Sequence, residues 1–282
     1  MTALVDSIRD RKPLTHIFLI LGSIVMIYPL LWMLSSSFKP EGVIFRDLGL
    51  IPDPFVIQNY TEGWTALQSP FTRFFVNSFL IVGLTILGNL ITCSVTAYAF
   101  ARINFRFKRV WFALMLSTIM LPYHVTVVPQ YMLFNALGWV NTFFPLFVPN
   151  FFATNAFFVF LIVQFIRGIP RDLDDAAAVD GASKFQIYIR IILPLTTPAL
   201  ITTAIFTFIW TWNDFFSQLI YLNDINLFTV PLALRQFTSA MDESSFGALF
   251  AMSILALIPT FIFFIAAQKY LVQGISTTGF KG

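Results

Sequence analysis

Apolar residues run through this chain in six long blocks, not in the short alternating or three-and-four-spaced patterns of a soluble core. The blocks cover residues 15–37, 74–100, 110–134, 143–165, 198–221 and 247–271. About twenty mostly apolar residues let a helix cross the hydrocarbon core of a bilayer, and each block has that length. Lipid offers no partner to a free backbone N–H or C=O, so a spanning segment must be a helix or part of a closed barrel. Barrel strands are shorter and alternate in polarity, and none of the blocks does so. The pattern predicts an all-α polytopic membrane protein with six transmembrane helices. Residues 1–14 form a cytoplasmic N-terminal segment and 15–282 a single transmembrane domain.

Composition points the same way. The chain of 282 residues is 57% hydrophobic and 11% charged, with 35 Phe, whereas soluble domains carry about a quarter charged residues. The net charge of +3 argues for no nucleic-acid partner; the membrane lipid is the expected solvent. Arg9, Arg11 and Lys12 precede the first block as in a secretory signal, but block 15–37 exceeds the roughly 7–15 residues of a signal core and no clear small-x-small cleavage site ends its apolar core. It reads as a retained span. The lone cysteine, Cys93, excludes an intrachain disulfide.

Basic residues set the orientation. With the N-terminus inside, all of the 17 Lys and Arg except Lys39, Arg46, Arg73 and Arg235 fall on inner segments. Cytoplasmic loops collect Lys and Arg, so the expectation is a multi-pass protein of the cytoplasmic (inner) membrane with both termini cytoplasmic. The connections 38–72 and 222–246 then lie outside, and the polar loop 166–197, between the fourth and fifth blocks, lies inside.

That inner loop carries the most chemistry. Pro170 followed by Asp172 and Asp174 reads as a helix start, with acids near the positive end of the dipole. Ala176, Ala177 and Ala178 favour helix and add little bulk. Gly181 permits a turn, after which Phe185, Ile189 and Ile192 at helical spacing hold a second piece against the membrane domain. Pro194 marks the bend into the fifth span. Taken alone, the loop is either a solvated interhelical connection or a small-surfaced knob that fits a groove on a partner.

The spacing resembles the EAA motif of binding-protein-dependent ABC importer permeases: Glu-Ala-Ala, three residues, Gly, nine residues, Ile-x-Leu-Pro. Asp175, Ala176, Ala177, Gly181, Ile191, Leu193 and Pro194 fall in register, with Asp175 one methylene shorter than the usual Glu. Asp180-Gly-Ala-Ser183, the run 134–142, Trp212-Asn-Asp-Phe215 and the tail 279–282 are similar to the carbohydrate branch, in particular the maltose-type second permease. The resemblance implies that loop 166–197 is a coupling helix docking on an ATPase, with Asp172, Asp174, Asp175, Ala176, Ala177, Asp180, Gly181, Ala182, Lys184, Phe185, Leu193 and Pro194 as its contact and shaping residues. It also implies a second homologous permease subunit, two copies of an ABC ATPase and an extracytoplasmic solute-binding protein. ATP and Mg would be bound by the ATPases, and no cofactor by this chain.

Within the spans the candidates are fewer. Asp214 is an acid at or near membrane depth, where a charge faces a cavity or partner and marks function, or else lies at the outer end of the fifth span. Trp212 beside it is an interfacial anchor or a stacking ring. His124 lies between Pro122 and Pro129, which interrupt the third span; broken helices can line a pathway, and a simple kink is the alternative. Asn77, Asn89, Gln130, Asn150 and Asn155 line a polar path or bond between helices. The pathway set is His124, Gln130, Asn155, Trp212, Asn213 and Asp214.

Other activities find little support. No Gly-x-x-x-x-Gly-Lys-[Ser/Thr] phosphate loop, Gly-x-Ser-x-Gly elbow or zinc spacing occurs, so no catalytic or metal-ligating residues are assigned. A secondary carrier or channel for a small polar solute is the remaining alternative. It calls for several buried acids or bases, of which Asp214 is the one candidate.

Overall fold

A computed structural model describes the backbone of residues 2–239 and 246–279, with side chains from 15 to 238 and from 246 to 268, residue 267 apart. The helices in chain order are α1 (Thr2–Ser36), α2 (Gln58–Thr65), α3 (Phe71–Arg102), α4 (Lys108–Ser117), α5 (Tyr123–Ala136), α6 (Phe144–Phe147) and α7 (Ala156–Gly168). There follow α8 (Asp172–Val179), α9 (Lys184–Ile187), α10 (Leu193–Leu195), α11 (Thr197–Trp212), α12 (Phe216–Tyr221), α13 (Val230–Ser239) and α14 (Phe246–Gly279). No strand occurs among the described residues, and the protein is an all-α polytopic membrane protein. By length and composition four helical stretches can cross a bilayer: Thr15–Ser36, Phe71–Arg102, Phe144–Gly168 and Phe246–Ala266. Two bent pairs raise the number to six if each is one span. The tail beyond Gly279 and the side chains of 1–14 lie outside the described residues.

The expected blocks are less straight than the sequence suggests. Block 110–134 breaks between Lys108–Met120 and Tyr123–Ala136, which meet at 102°. Leu121, at ψ 120, is extended because a proline ring disfavours helical conformation in the residue before it, and Pro122, at ψ 132, is the extended N-cap from which α5 starts. Pro129, by contrast, lies within α5 without ending it. Block 143–165 is α6, a 3₁₀ turn over Val148–Phe152, left-handed Ala153 at φ 53, and α7, which continues to Gly168. Block 198–221 is also divided: α11 stops at Trp212, and α12 starts again at Phe216.

The chain divides into two compact units, residues 1–70 with 234–257 and residues 71–233 with 258–282. In the first, Lys39 is fully buried, and its ammonium group donates to the carbonyls of Asp47 (2.7 Å) and Gly49 (2.6 Å). The Asp47 carboxylate lies 3.1 Å away. The Gly49 N–H and then Lys39 hold the Asp47 carboxyl below the usual carboxylate range. Asn59 donates to the carbonyls of Ser37 and Lys39, both at 2.9 Å, and the Glu41 carboxylate accepts from the backbone N–H of Phe246 and Gly247 at the start of α14. These bonds order connection 38–72 without regular structure over most of its length.

In the second unit α3 packs against α7 and α11. Cys93, Ala97, Tyr98 and Ala101 of α3 meet Phe158, Val159, Ile162, Val163 and Ile166 of α7 in a buried cluster. Packing between apolar helices needs close approach and polar bonds, since lipid is as apolar as leucine. Both are present. The Thr92 hydroxyl bonds the Asn150 carbonyl at 2.9 Å, Asn89 donates to Thr207 at 3.2 Å, and Asn77 donates to the carbonyls of Asn226 and Phe228. Asn77 and Asn89 are buried and bond between segments. At Gly88 an added Cβ would stand 2.9 Å from the Phe151 ring and 3.1 Å from the Asn150 carbonyl carbon. Gly88→Val therefore costs about 1–3 kcal/mol of overpacking, and a lower midpoint in detergent thermal unfolding is the expected result.

Candidate functional site

The polar loop 166–197 builds from its helix ends. Asp172, Asp174 and Asp175 occupy the first turn of α8, where carboxylates interact favourably with the free N–H groups. The helix closes through Gly181, at φ +82: its N–H donates to the Ala178 carbonyl at 3.1 Å, and the N–H of Ala182 reaches back to Ala177 at 2.9 Å. This paired closure is a Schellman motif, which needs a left-handed residue at that position. Ser183 then caps α9 reciprocally: its hydroxyl accepts from the Gln186 N–H, and the Gln186 side chain accepts from the Ser183 N–H.

Three attachments hold this loop to the helices beneath. Arg102, at the end of α3, forms an ion pair with Asp174 at 3.0 Å, with only 7% and 17% of the two side chains exposed. The same guanidinium donates to the Ile169 carbonyl at 2.7 Å. Tyr98 donates to the Lys184 carbonyl at 3.0 Å, and the Tyr188 hydroxyl shares a 2.8 Å bond with Ser94. The Tyr98 and Tyr188 rings lie 5.1 Å apart. Ile187, Tyr188 and Ile192 join the buried cluster, with Ala177 and Ala182 packed against it.

One expectation needs correction. The row Phe185, Ile189 and Ile192 does not anchor the loop, because Phe185 is 68% and Ile189 43% exposed, while Ile192 is buried. Residues Tyr188–Ile192 form a π-helical turn. Its wider winding shifts the register that a 3.6-residue period assigns, so Ile187 and Tyr188 face inward instead. The outer surface is then Asp172, Asp175, Ala176, Asp180, Gly181, Lys184 and Phe185, all exposed, together with Val179. Leu193 is half-buried and Pro194 exposed; the chain bends by 72° between Lys184–Leu195 and Thr197–Trp212.

A second feature lies within the same unit. Two adjoining cavities of about 950 and 780 Å³ share Tyr123, Asn150, Asn155, Trp210 and Asp214. Gln130 lines the larger and Asn213 the smaller. Asp214 lies in the break between α11 and α12, where its carboxylate accepts from the Ser217 N–H at 3.1 Å. The break explains how an acid within an apolar block gains hydrogen-bond partners: a continuous helix would leave no free N–H to meet it. Tyr123 bonds Ser217 at 2.9 Å. The buried Tyr221 hydroxyl has no hydrogen-bond partner among the described residues, although the residue lines the larger cavity. Aromatic faces beside amides and a carboxylate suit a polar solute with an apolar face.

Of the six pathway candidates, Gln130, Asn155, Asn213 and Asp214 meet at these cavities. Trp212 does not: it is 3% exposed and its ring packs among Phe75, Phe79 and Phe208, at centroid distances of 6.0, 4.9 and 5.6 Å. It is neither a stacking face nor an interfacial anchor in this arrangement, because α11 turns it into the helix core. His124 is exposed, edge-on to Phe216 at 5.2 Å, and lines neither cavity. Tyr123, Trp210 and Tyr221 escaped the sequence reading. Their signal was faint, since aromatic residues are common throughout these blocks. Among the described residues no group of three or more His, Cys, Asp or Glu could hold a metal ion.

Comparison with known proteins bears on both features. The pattern of the family described as "Binding-protein-dependent transport system inner membrane component" matches residues 91–277, which include the polar loop and most of the cavity lining. A probable ABC transporter permease protein of Bacillus subtilis (strain 168), YurM, is 34% identical over 94% of this chain and 87% of its own length. The trehalose/maltose transport system permease protein MalG of Thermococcus litoralis is 32% identical over 96% and 99%. Among solved structures, a bacterial ABC transporter involved in the import of the acidic polysaccharide alginate superposes with a TM-score of 0.83 at 21% identity, over 94% of this chain and 97% of that one. At that identity the likeness speaks for the fold. The match over most of the chain and the identity to these relatives lead to one conclusion: this protein belongs to the binding-protein-dependent transport system inner membrane components, the permeases of ABC transporters, and is a transport component, not an enzyme.

Proposed function

We propose that the chain is one of two related permease subunits of an importer that moves a sugar or sugar-like solute across the cytoplasmic membrane by alternating access. A second permease, two copies of an ABC ATPase and an extracytoplasmic binding protein complete the assembly, and ATP with Mg binds to the ATPases. Relatives named for trehalose/maltose and for arabinooligosaccharide transport support the solute class. A related alginate transporter is known in complex with a loaded periplasmic protein, which supports the binding-protein partner. The proposed topology counts each bent pair as one span, giving six, and the bias of Lys and Arg supports cytoplasmic termini.

The observation that carries the reading is loop 166–197: a short helix with an exposed small-residue surface, ended by a left-handed glycine and tied to the core of its unit by Arg102, Tyr98 and Tyr188. Closure of the ATPases on ATP binding would draw Asp172–Lys184 with them and tilt α3, α7 and α11 as a packed group. The cavity at Asn155 and Asp214 would then open outward to receive solute, and release of ADP and phosphate would reset it.

The test is purification of the tagged chain in mild detergent with its genomic neighbours co-expressed, followed by an ATPase assay. A second permease and an ATPase co-purify, and the solute whose loaded binding protein stimulates hydrolysis names the cargo. A chain that purifies alone, with no stimulated hydrolysis, returns the reading to a secondary carrier and makes Asp214 the residue to test.

A further inference from the structure

Beside the root of the polar loop, four cations line one cavity of about 570 Å³: Arg102, Lys108, Arg167 and Arg171. They come from the ends of α3 and α7 and the starts of α4 and α8, and among the described residues no acid lines the cavity. Part of this charge is already engaged. Arg102 is paired with Asp174, Lys108 donates to the Ile103 carbonyl at 2.7 Å, and Arg171 reaches the Ala101 carbonyl at 3.5 Å. The Arg167 guanidinium lies 5.1 Å over the Phe112 ring. Each guanidinium has five N–H donors and the ammonium three, so donors remain after these contacts. Four like charges around one cavity repel one another, and an anion among them would relieve that repulsion.

The surroundings select the anion. The remaining wall is Phe100, Ala101, Gly168, Ile169 and Pro170, so the cavity is cationic and apolar at once. From Lys108 an exposed apolar face continues along α4 through Val110, Trp111 and Leu114, at 54%, 56% and 52% exposure. An acyl chain lying on that face would bring its headgroup to the four cations. Basic pockets between transmembrane helices at the cytoplasmic side hold anionic headgroups, and Arg fits a phosphate by paired hydrogen bonds. We infer that this cavity binds the phosphate of an anionic phospholipid headgroup. It rests on the proposed topology, which places loop 166–197 at the cytoplasmic face. Arg102 and Arg171 also link the site to α8, through Asp174 and through the helix start itself, so an occupied site steadies the loop that meets the ATPase.

The test uses the isolated full-length chain, so it does not depend on transport. Tagged protein is equilibrated with mixed micelles of detergent, phosphatidylcholine and phosphatidylglycerol, and retained lipid is counted by native mass spectrometry. Wild type retains phosphatidylglycerol preferentially. Each cation near an anionic headgroup changes affinity by about fivefold, so Lys108→Gln with Arg167→Gln lowers retention by roughly twenty-fivefold. Arg106→Gln, a neighbouring cation outside the cavity, leaves it unchanged. Equal retention by wild type and the double variant overturns the assignment, as does an equal loss in Arg106→Gln, which would indicate diffuse surface charge. Inorganic phosphate retained by the wild type and lost in the double variant, with no preference for phosphatidylglycerol over phosphatidylcholine, overturns it in favour of the free ion.

Discussion

Gly181→Val is expected to abolish solute-stimulated ATP hydrolysis while the chain still inserts and is recovered from membranes. The reason is conformational, since an added Cβ at Gly181 meets nothing within 4 Å. At φ +82 a side chain costs about 1–2 kcal/mol, and more for a β-branched residue, whose second γ-substituent crowds the backbone. The Schellman closure then opens, Ala177 and Ala178 lose their N–H partners, and α8 no longer turns into Ser183 at the angle that buries Ile187 and Tyr188. Asn tolerates left-handed backbone better than Val, so Gly181→Asn keeps a measurable fraction of activity. Gly181→Asp, similar in backbone tolerance, adds a charge to the exposed face and uncouples hydrolysis through the partner contact. A bulky residue at Ala177, which packs against the buried cluster, lifts α8 from beneath and gives the same phenotype. Wild-type transport by Gly181→Val would remove the loop from the coupling mechanism.

The second large effect is expected at Arg102. Neither carboxylate oxygen of Asp174 has a hydrogen-bond donor among the described residues, so the Arg102 guanidinium is the group that compensates this largely buried acid. Arg102→Met strands it. Removing one member of a buried pair costs about 3–5 kcal/mol; the partial exposure of Asp174 places this pair at the lower end. The cost falls on the join between α3 and α8, so ATPase stimulation is lost before the spans unfold. Arg102→Met combined with Asp174→Leu removes the stranded charge and recovers stability, measured as the thermal midpoint in detergent. A double variant no more stable than Arg102→Met alone would mean that the pair does not hold the loop. The bond from Arg102 to the Ile169 carbonyl is lost in both variants, so the comparison isolates the cost of the stranded carboxylate.

Much of the site was legible because it is local. The acids of α8, the alanines, Gly181 and Pro194 act through helix-end chemistry that spans only a few residues, so their order along the chain carries their roles. The anchoring of that loop was not legible. Tyr98, Arg102 and Ile187 are brought together from segments far apart in sequence, and the π-helical turn at Tyr188–Ile192 shifted the one apolar row that periodicity offered. The cavity shows the same division. Asp214 stood out as an acid in an apolar block, but Tyr123 and Tyr221 were two aromatics among many. Trp212 stood out equally, and packing turned it inward.

The sequence by itself determined that the chain is helical and membrane-embedded, and where a glycine-ended helix interrupts the apolar blocks. Each of these follows from solvent: lipid forbids free backbone groups and exposed charge, and those prohibitions act on every stretch of twenty residues independently. Tertiary structure decided where the blocks bend, which polar groups of α3, α7 and α11 satisfy one another, and which residues are left to face a cavity. Those outcomes depend on which helix faces which, a choice that lipid does not make for them, because an apolar side chain is equally at home against lipid or a neighbouring helix.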